Sequence, residues 1–515
     1  MRSPMPRNRS LWLALAAFSF AAPLALWSAP AWAQDPAPKE GDKPAEGQDS
    51  KKEEKEEWFA VTNGDVFTGT GSLLRGMTIL AKNGVIVEIA GEVDIPEGAK
   101  VLDAKGLRIY PGLVAVSSAG LFGGTGSELE DSVDPFSSRM VLGLASGITS
   151  SGVGSVAAKL KRGEIKGVVM RDKYSTTLAF STNNPSTKRN LAEKLELTAR
   201  YLREFRDYES KKASNKDLKE PPKKGVDSSI LSVLKGETLA RFNADSREDL
   251  LGIARLAQKY GFRPVIDGCG EGWTVADELG RAGAFAILTP RDRNDKSEAL
   301  VRPGGSSIEN AAILHAHGVQ VAIIPSTRGV DLGGIAGRDI IHLPIEADFA
   351  VRGGLPESAA IAAITVVPAR ILGVDHRVGT IEVGKDCDLL VMDGDLLHYQ
   401  TFVQYAVVDG KQVYDKEAEL WFAHIRPRTT ASLAPDVRVD PGEEVDPNAP
   451  PKVDPPKEGD GPEGSTPPEE KKPGDGDAPP EKKPEDPPKD SGDPESTGGE
   501  GGPAPESKPE DSSGR

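Results

Sequence analysis

The sequence predicts an α/β fold with a small β-domain attached, and three observations carry that expectation. Between about Val168 and Ile324, short apolar strands alternate with helical stretches. That cadence requires parallel strands joined by right-handed crossovers, in an open sheet or a barrel. Strand-and-turn texture flanks this middle on both sides, at residues 58–103 and 379–413. Two separated β-rich flanks around an α/β centre suggest one small domain assembled from both. About 375 residues lie between Trp58 and Leu433, a natural length for a barrel with an appended domain.

The N-terminus carries Arg2, Arg7 and Arg9, an apolar run from Leu11 to Trp27, and Ala31-Trp32-Ala33 before Gln34. This is the layout of a secretory signal peptide with an A-x-A cleavage site, so the chain is expected to be exported, periplasmic or extracellular. A membrane anchor is the alternative, but Pro23 interrupts a run already short for a span. No other stretch reaches transmembrane length, so the mature chain should contain no span.

Residues 34–57 and 434–515 are rich in Lys, Glu, Asp, Gly and Pro, and have too little to bury to offset the entropy of ordering. Both are expected to be disordered, as a charged linker and an acidic, proline-rich tail. From Asp436 onward there are 23 Asp and Glu against 10 Lys and Arg, so −13 of the net charge of −16 belongs to the tail. The acidity is therefore a property of a solvated spacer and says nothing about the substrate. Nucleic acid is excluded as a partner, because the core offers no basic face. With two cysteines, the fold does not rest on a disulfide framework.

Along the core, Trp58 to Val61 and Thr78 to Ala81 read as strands, and Asn83-Gly84 is a hairpin turn leading into Val85 to Ile89. Lys100 to Asp103 is a further strand. Apolar residues at Leu250, Leu251, Ala254, Leu256 and Ala257 give Ser246 to Tyr260 a helical period, with Ser246 as N-cap and Gly261 as stop. Pro264 to Ile266, Ala284 to Leu288 and Val319 to Ile324 are strands, separated by helices at Thr274 to Ala282 and Ser307 to His317. The lysine-dense stretch Glu209 to Lys224, with Pro221-Pro222, reads as an exposed insertion.

Several segments, in order, resemble the amidohydrolase superfamily. Leu102-Asp103-Ala104-Lys105-Gly106 followed by Pro111-Gly112-Leu113 is similar to the entry into its first barrel strand. Pro368-Ala369-Arg370-Ile371-Leu372-Gly373, then Gly379-Thr380-Ile381-Glu382-Val383-Gly384-Lys385-Asp386-Cys387-Asp388-Leu389, and then Val407 to Tyr414, are similar to its exit. Asn243 to Leu279 looks closest to the imidazolonepropionase-related branch. The resemblance implies a (β/α)8 TIM-like barrel over 113–375. It also implies a composite β-sandwich domain from 58–112 and 376–433, and hydrolysis of a carbon–nitrogen bond other than a peptide bond.

Such enzymes hold one or two divalent ions, zinc for example, at the C-terminal mouth of the barrel. The ion lowers the pKa of a bound water, and an aspartate moves the proton to the leaving nitrogen. At the positions that match the family's ligands, this chain has Ser117 and Ala119 on the first strand, Asn243 on the fifth and Gly268 on the sixth. Ser326 matches the catalytic aspartate of the eighth. Lys159 and Lys166 are candidates for the fourth-strand ligand. The resemblance therefore implies a zinc-type site whose ligands are missing, so no cofactor and no catalytic residue is assigned.

Asp245, Asp267 and Glu271 could bind a hard ion such as calcium through oxygen, or could cap helices and pair with neighbours such as Arg247. Cys269, at a strand end, reads as a packing or incidental cysteine; the alternative is a nucleophile, but adjacent carboxylates raise a thiol's pKa and no histidine is placed to activate it. Cys387 reads as core. His315-Ala316-His317 lies on a helix, where residues two apart face away from each other. His342, His376, His398 and His424 are single. The glycine-rich stretches 123–126 and 333–337 are mouth loops, not phosphate cradles.

Three functions follow: a hydrolase retaining a site that the sequence does not reveal, a binding module for a small amide, cyclic or peptide-like ligand, or a partner of an active relative. Amidohydrolases commonly oligomerise, so the partner reading includes a homo-oligomer.

Overall fold

The computed structural model describes residues 56–123, 129–212, 218–293, 304–331, 337–419 and 422. The segments expected to be a signal peptide and a charged linker, all but residues 56 and 57 of the latter, and the acidic tail lie outside the described residues, as do 124–126 and 333–336 of the glycine-rich loops and His424. Among the described residues, no helix is long and apolar enough to cross a membrane.

The N-terminal flank contributes β1 (Trp58–Phe67), β2 (Leu73–Lys82), β3 (Val85–Ala90), β4 (Lys100–Asp103) and β5 (Arg108–Pro111). Asn83 and Gly84 turn β2 into β3, with φ values of +50° and +82°, the left-handed pair that a tight hairpin requires. The chain then enters β6 (Leu113–Ala115), and after the helices α1 (Leu129–Ser132) and α2 (Ser138–Ala145) come β7 (Ile148–Val153), β8 (Val156–Lys159) and β9 (Val169–Arg171). β6 and β7 are parallel, whereas β7, β8 and β9 form an antiparallel meander with no helix between them. This meander departs from strict strand–helix alternation. Its strands β7 and β8 are buried along their whole length, so neither shows the period-2 pattern that reveals a half-buried strand.

Next come β10 (Ser175–Thr177), α3 (Pro185–Lys212), α4 (Ser228–Lys235), β11 (Leu239–Ala244), α5 (Arg247–Tyr260) and β12 (Pro264–Gly268). They are followed by α6 (Ala276–Arg281), β13 (Phe285–Leu288), α7 (Asn310–Ala316) and β14 (Gln320–Ile323). Strands β10 to β14 form a five-stranded parallel sheet in sequence order. The caps of α5 fall where the sequence places them: Ser246 Oγ accepts from the Asp249 N–H, and Gly261 adopts φ +74°. Of the stretch 209–224 read as an exposed insertion, 213–217 lie outside the described residues, and the exposed residues up to Lys212 complete the 28-residue helix α3. Its buried stripe of Leu191, Leu195, Thr198 and Leu202 is narrow, and lysine and glutamate on the remaining faces mask it.

Helices α8 (Leu343–Arg352), α9 (Glu357–Ala363) and α10 (Val366–Leu372) lead back to β15 (Leu389–Met392), β16 (Val403–Val408) and β17 (Lys411–Asp415). β15 pairs antiparallel with β5, so the two flanks meet in one eight-stranded sheet.

Close backbone approach fixes how the helices outside the parallel sheet lie. A Cβ on Gly280 of α6 would sit 2.0 Å from the His317 carbonyl oxygen at the end of α7. Gly280→Ala must push two helices apart, and a urea titration is expected to show a loss of about 1–3 kcal/mol. An unchanged midpoint would contradict this packing.

Candidate active site at the strand ends

Parallel β11 to β14 end together, and their C-terminal ends surround a cavity of about 330 Å³. This is the end of an α/β sheet where loops of variable sequence gather, and therefore where function is built. On β11, alternate residues share a face: Phe242 and Ala244 pack into the core, while Arg241 and Asn243 face the other way. Asn243 is exposed and lines the cavity, directly opposite Asp267 of β12.

Asp267 is held by two arginines. Arg241 donates to its Oδ2 at 2.6 Å, and Arg328 donates to Oδ2 at 3.0 Å and Oδ1 at 2.6 Å. Arg241 also donates to Tyr174 Oη at 3.4 Å, which in turn donates to the Gly154 carbonyl at 3.0 Å. Burial pushes the Asp267 carboxyl up, but the hydrogen bonds and charges of the two guanidiniums outweigh it, and its pKa lies below the ordinary value. Asp267 and Arg241 are 15% and 13% exposed, whereas Arg328 is 33% exposed and reaches the cavity wall.

Asp245 is open to the cavity, and among the described residues its carboxylate accepts one hydrogen bond, from the Gly270 N–H at 3.0 Å. Desolvation on its protein side raises its pKa, and the charges of Asp267, Asp292 and Glu271 push the same way. Glu271 is committed to backbone: Oε2 accepts from Arg247 N–H at 2.8 Å, in the first turn of α5, and Oε1 from Gly305 N–H at 2.6 Å. It caps a helix and ties down a loop. Asp292, also in the wall, pairs with Arg338. Ser326 lines the cavity and accepts from Arg338 Nε at 3.2 Å. Buried Glu346 of α8 accepts from Arg291 N–H at 2.9 Å and Nε at 2.7 Å, holding the loop after β13.

Gly268 has φ +99°, and a Cβ there would lie 2.5 Å from Asp245 Oδ1. A histidine side chain has neither the backbone conformation nor the room at this position. Ser117 is half-buried, and Ala119 is exposed and bridges to Gly329 in parallel register. Of the nine positions singled out, the cavity wall includes Asn243, Asp245, Asp267, Gly268 and Ser326, but not Ser117, Ala119, Cys269 or Glu271.

Of the two readings of Cys269, its place in the structure fits packing. Its side chain is fully buried in the core, and burial followed by the charge of Asp245 raises the thiol's pKa. Cys387 is buried too, and both thiols are free. The ligand readings of Lys159 and Lys166 are corrected. Lys159 is fully buried away from the cavity among Asp386, Asp388 and Asp409, and Lys166 is exposed in a turn. None of the described histidines lines the cavity: His317 pairs with Asp277 at 2.7 Å, His342 pairs with Asp339, and His398 stacks on Tyr399. Among the described residues, no group of three His, Cys, Asp or Glu is placed to hold a metal ion.

Residues 274–416 match the amidohydrolase family. The amidohydrolase match begins at the turn before α6 and runs through β17. A 95-residue segment is 34% identical to "Amidohydrolase tasK" of Hapsidospora irregularis, covering 18% of this chain and 10% of that protein. A 68-residue segment is 37% identical to the N-acetylglucosamine-6-phosphate deacetylase of Danio rerio, covering 13% and 16%. The chain thus spans a small fraction of these relatives. An amidohydrolase from Thermotoga maritima superposes with a TM-score of 0.51 at 24% identity, over 69% of this chain and 99% of that one. At that identity the likeness establishes the fold, an α/β protein containing a TIM-type barrel.

Proposed function

We propose that this is an exported amidohydrolase-fold protein whose strand-end cavity binds a small polar ligand without a catalytic divalent ion. The Arg241–Asp267–Arg328 chain carries this reading. A catalytic zinc needs at least three converging protein ligands, and the carboxylate closest to the fifth-strand position is already neutralised by two guanidiniums, which would repel a second cation. Asn243 offers one neutral amide and Asp245 one carboxylate, Gly268 offers no side chain, and Asp292 is paired, which leaves fewer than the three ligands required. The donor set therefore does not fit the family's metal, and no step is routed through one.

The architecture belongs to the same proposal. The parallel bridge between Ala119 and Gly329, joining the segment after β6 to the segment after β14, supports closure of the two sheets that contain them into a barrel. A separate core of Phe59, Ile79, Ile109, Leu389 and Val407 supports a composite sandwich domain from both flanks.

Hydrolysis of a carbon–nitrogen bond is the second reading, favoured by the family match and the relatives' names. The two are separated by assaying the purified chain against N-acetylated amino sugars and amino acids, with and without added zinc or manganese. The proposal expects no metal-dependent turnover. Turnover that a chelator removes and zinc restores would overturn it.

A further inference from the structure

The charges around the cavity do not cancel locally, and their separation points to a ligand class. Arg241 and Arg328 set two positive charges against the single carboxylate of Asp267, leaving one net positive charge at the wall where Arg328 is exposed. Asp292 and Arg338 cancel. Asp245 is left as one net negative charge: it lines the cavity, and among the described residues its carboxylate accepts a single hydrogen bond, from a backbone N–H to Oδ1, and pairs with no cation. A carboxylate with no cationic partner, crowded by three other acids, is stabilised by any cation that enters. A guanidinium keeps five donors, and Asp267 uses two of those on Arg328.

We infer that the cavity between Asp245 and Arg328 is a site for a small zwitterion, an amino-acid-like molecule whose ammonium group pairs with Asp245 and whose carboxylate pairs with Arg328. This deepens the binding function proposed above and rests on it. The hydroxyls of Thr289, Ser307 and Ser326 and the amide of Asn243 supply neutral hydrogen bonds around the ligand, while Leu288, Ile308 and Ala311 cover its carbon chain. At about 330 Å³ the cavity is at the small end of ligand sites, suited to a metabolite and too small for a polymer. No bond is made or broken in this proposal.

Isothermal titration calorimetry of the chelator-treated full chain tests it, with glycine, β-alanine, 4-aminobutanoate and 6-aminohexanoate as a ruler for the distance between the two charges. Each is compared with the carboxylate lacking the amine and the amine lacking the carboxylate. One of the four is expected to bind about tenfold or more tightly than both singly charged counterparts. Asp245→Asn should reduce its affinity to that of the plain carboxylate, and Arg328→Gln to that of the plain amine. Arg328→Lys keeps the charge and should retain part of the preference even if the glutamine variant folds poorly. Binding no tighter than the singly charged counterparts at every length would overturn the inference, as would wild-type affinity in both Asp245→Asn and Arg328→Gln. Tight zinc uptake in the same instrument would overturn the metal-free reading on its own, so the two failures are distinguishable.

Discussion

Replacing Lys159 by methionine is expected to destabilise the chain by about 3–5 kcal/mol, the cost of removing one partner from a buried ion pair and leaving the others uncompensated. The Lys159 ammonium is fully buried at the end of β8, 2.7 Å from Asp386 and 2.9 Å from Asp388, and it also bonds Asp409. Lys161 pairs with Asp409 and Arg377 with Asp386, so cations and carboxylates balance three to three. Asp388 Oδ2 is buried with no hydrogen-bond partner, so this carboxylate relies on Lys159 most. The cluster ties the β7–β8 hairpin to the segments before β15 and after β16. Without it the eight-stranded sheet loses its polar anchor on the β7–β8 hairpin.

The pH dependence of this cluster has a definite sign. Desolvation pushes the Lys159 pKa down, but the charges of Asp388, Asp409 and Asp386 together push it up further, to a net rise. Its stabilisation is therefore fully present below the unfolded lysine value and is lost only as pH rises through the higher folded one. Burial pushes Asp409 up, but Lys159 and Lys161 hold it below its ordinary value. Its share of stability is present above the unfolded aspartate pKa, about 3.9, and is lost as pH falls through the folded one. Burial leaves Asp388 raised, with the opposite sign. In Lys159→Met the carboxylates lose their main cation, so the variant should regain stability as pH falls from about 7 to about 5. A urea series at both pH values reads this directly. A variant as stable as wild type at pH 7, or one showing no recovery in acid, would refute the arrangement.

Asp267→Ala is the second large effect. Arg241 is 13% exposed and would lose its carboxylate, leaving a buried guanidinium held only by Tyr174. The expected loss is about 3 kcal/mol, at the low end for a broken buried pair because Arg328 is partly solvated. Since the Asp267 pKa is depressed, the stability it contributes is present above the unfolded aspartate value and is lost as pH falls through the lower folded one. Wild type and variant should therefore converge in urea midpoint only in strong acid. Asp267→Asn, which keeps two hydrogen-bond acceptor positions on a neutral oxygen, should lose less than alanine. If both substitutions left the midpoint unchanged, Asp267 would not be the keystone of the cavity floor.

Much of the fold was legible because local signals agreed. Between Asn243 and Ile324, apolar period, the Ser246 cap and the Gly261 stop all pointed to the same elements, and the Asn83-Gly84 turn marked its hairpin. The β7–β8 hairpin of the meander was not legible, because strands buried on both faces carry no alternation. The cavity was half legible. Asn243, Asp245 and Asp267 were found because they sit at strand ends within one continuous segment. Arg328 was missed because it lies 61 residues beyond its partner, and Lys159 was misread because its partners Asp388 and Asp409 are 229 and 250 residues away. Arg241 could have been found: it stands two residues before Asn243, so both point to the same side of the strand.

The central claim, that two guanidiniums and a carboxylate stand where a metal would be held, is tested most directly by elemental analysis of the purified full chain after dialysis against zinc and then against metal-free buffer. The account predicts zinc well below one ion per chain, with no difference between wild type and Asp267→Asn. One tightly held ion per chain, lost in Asp267→Asn, would contradict it.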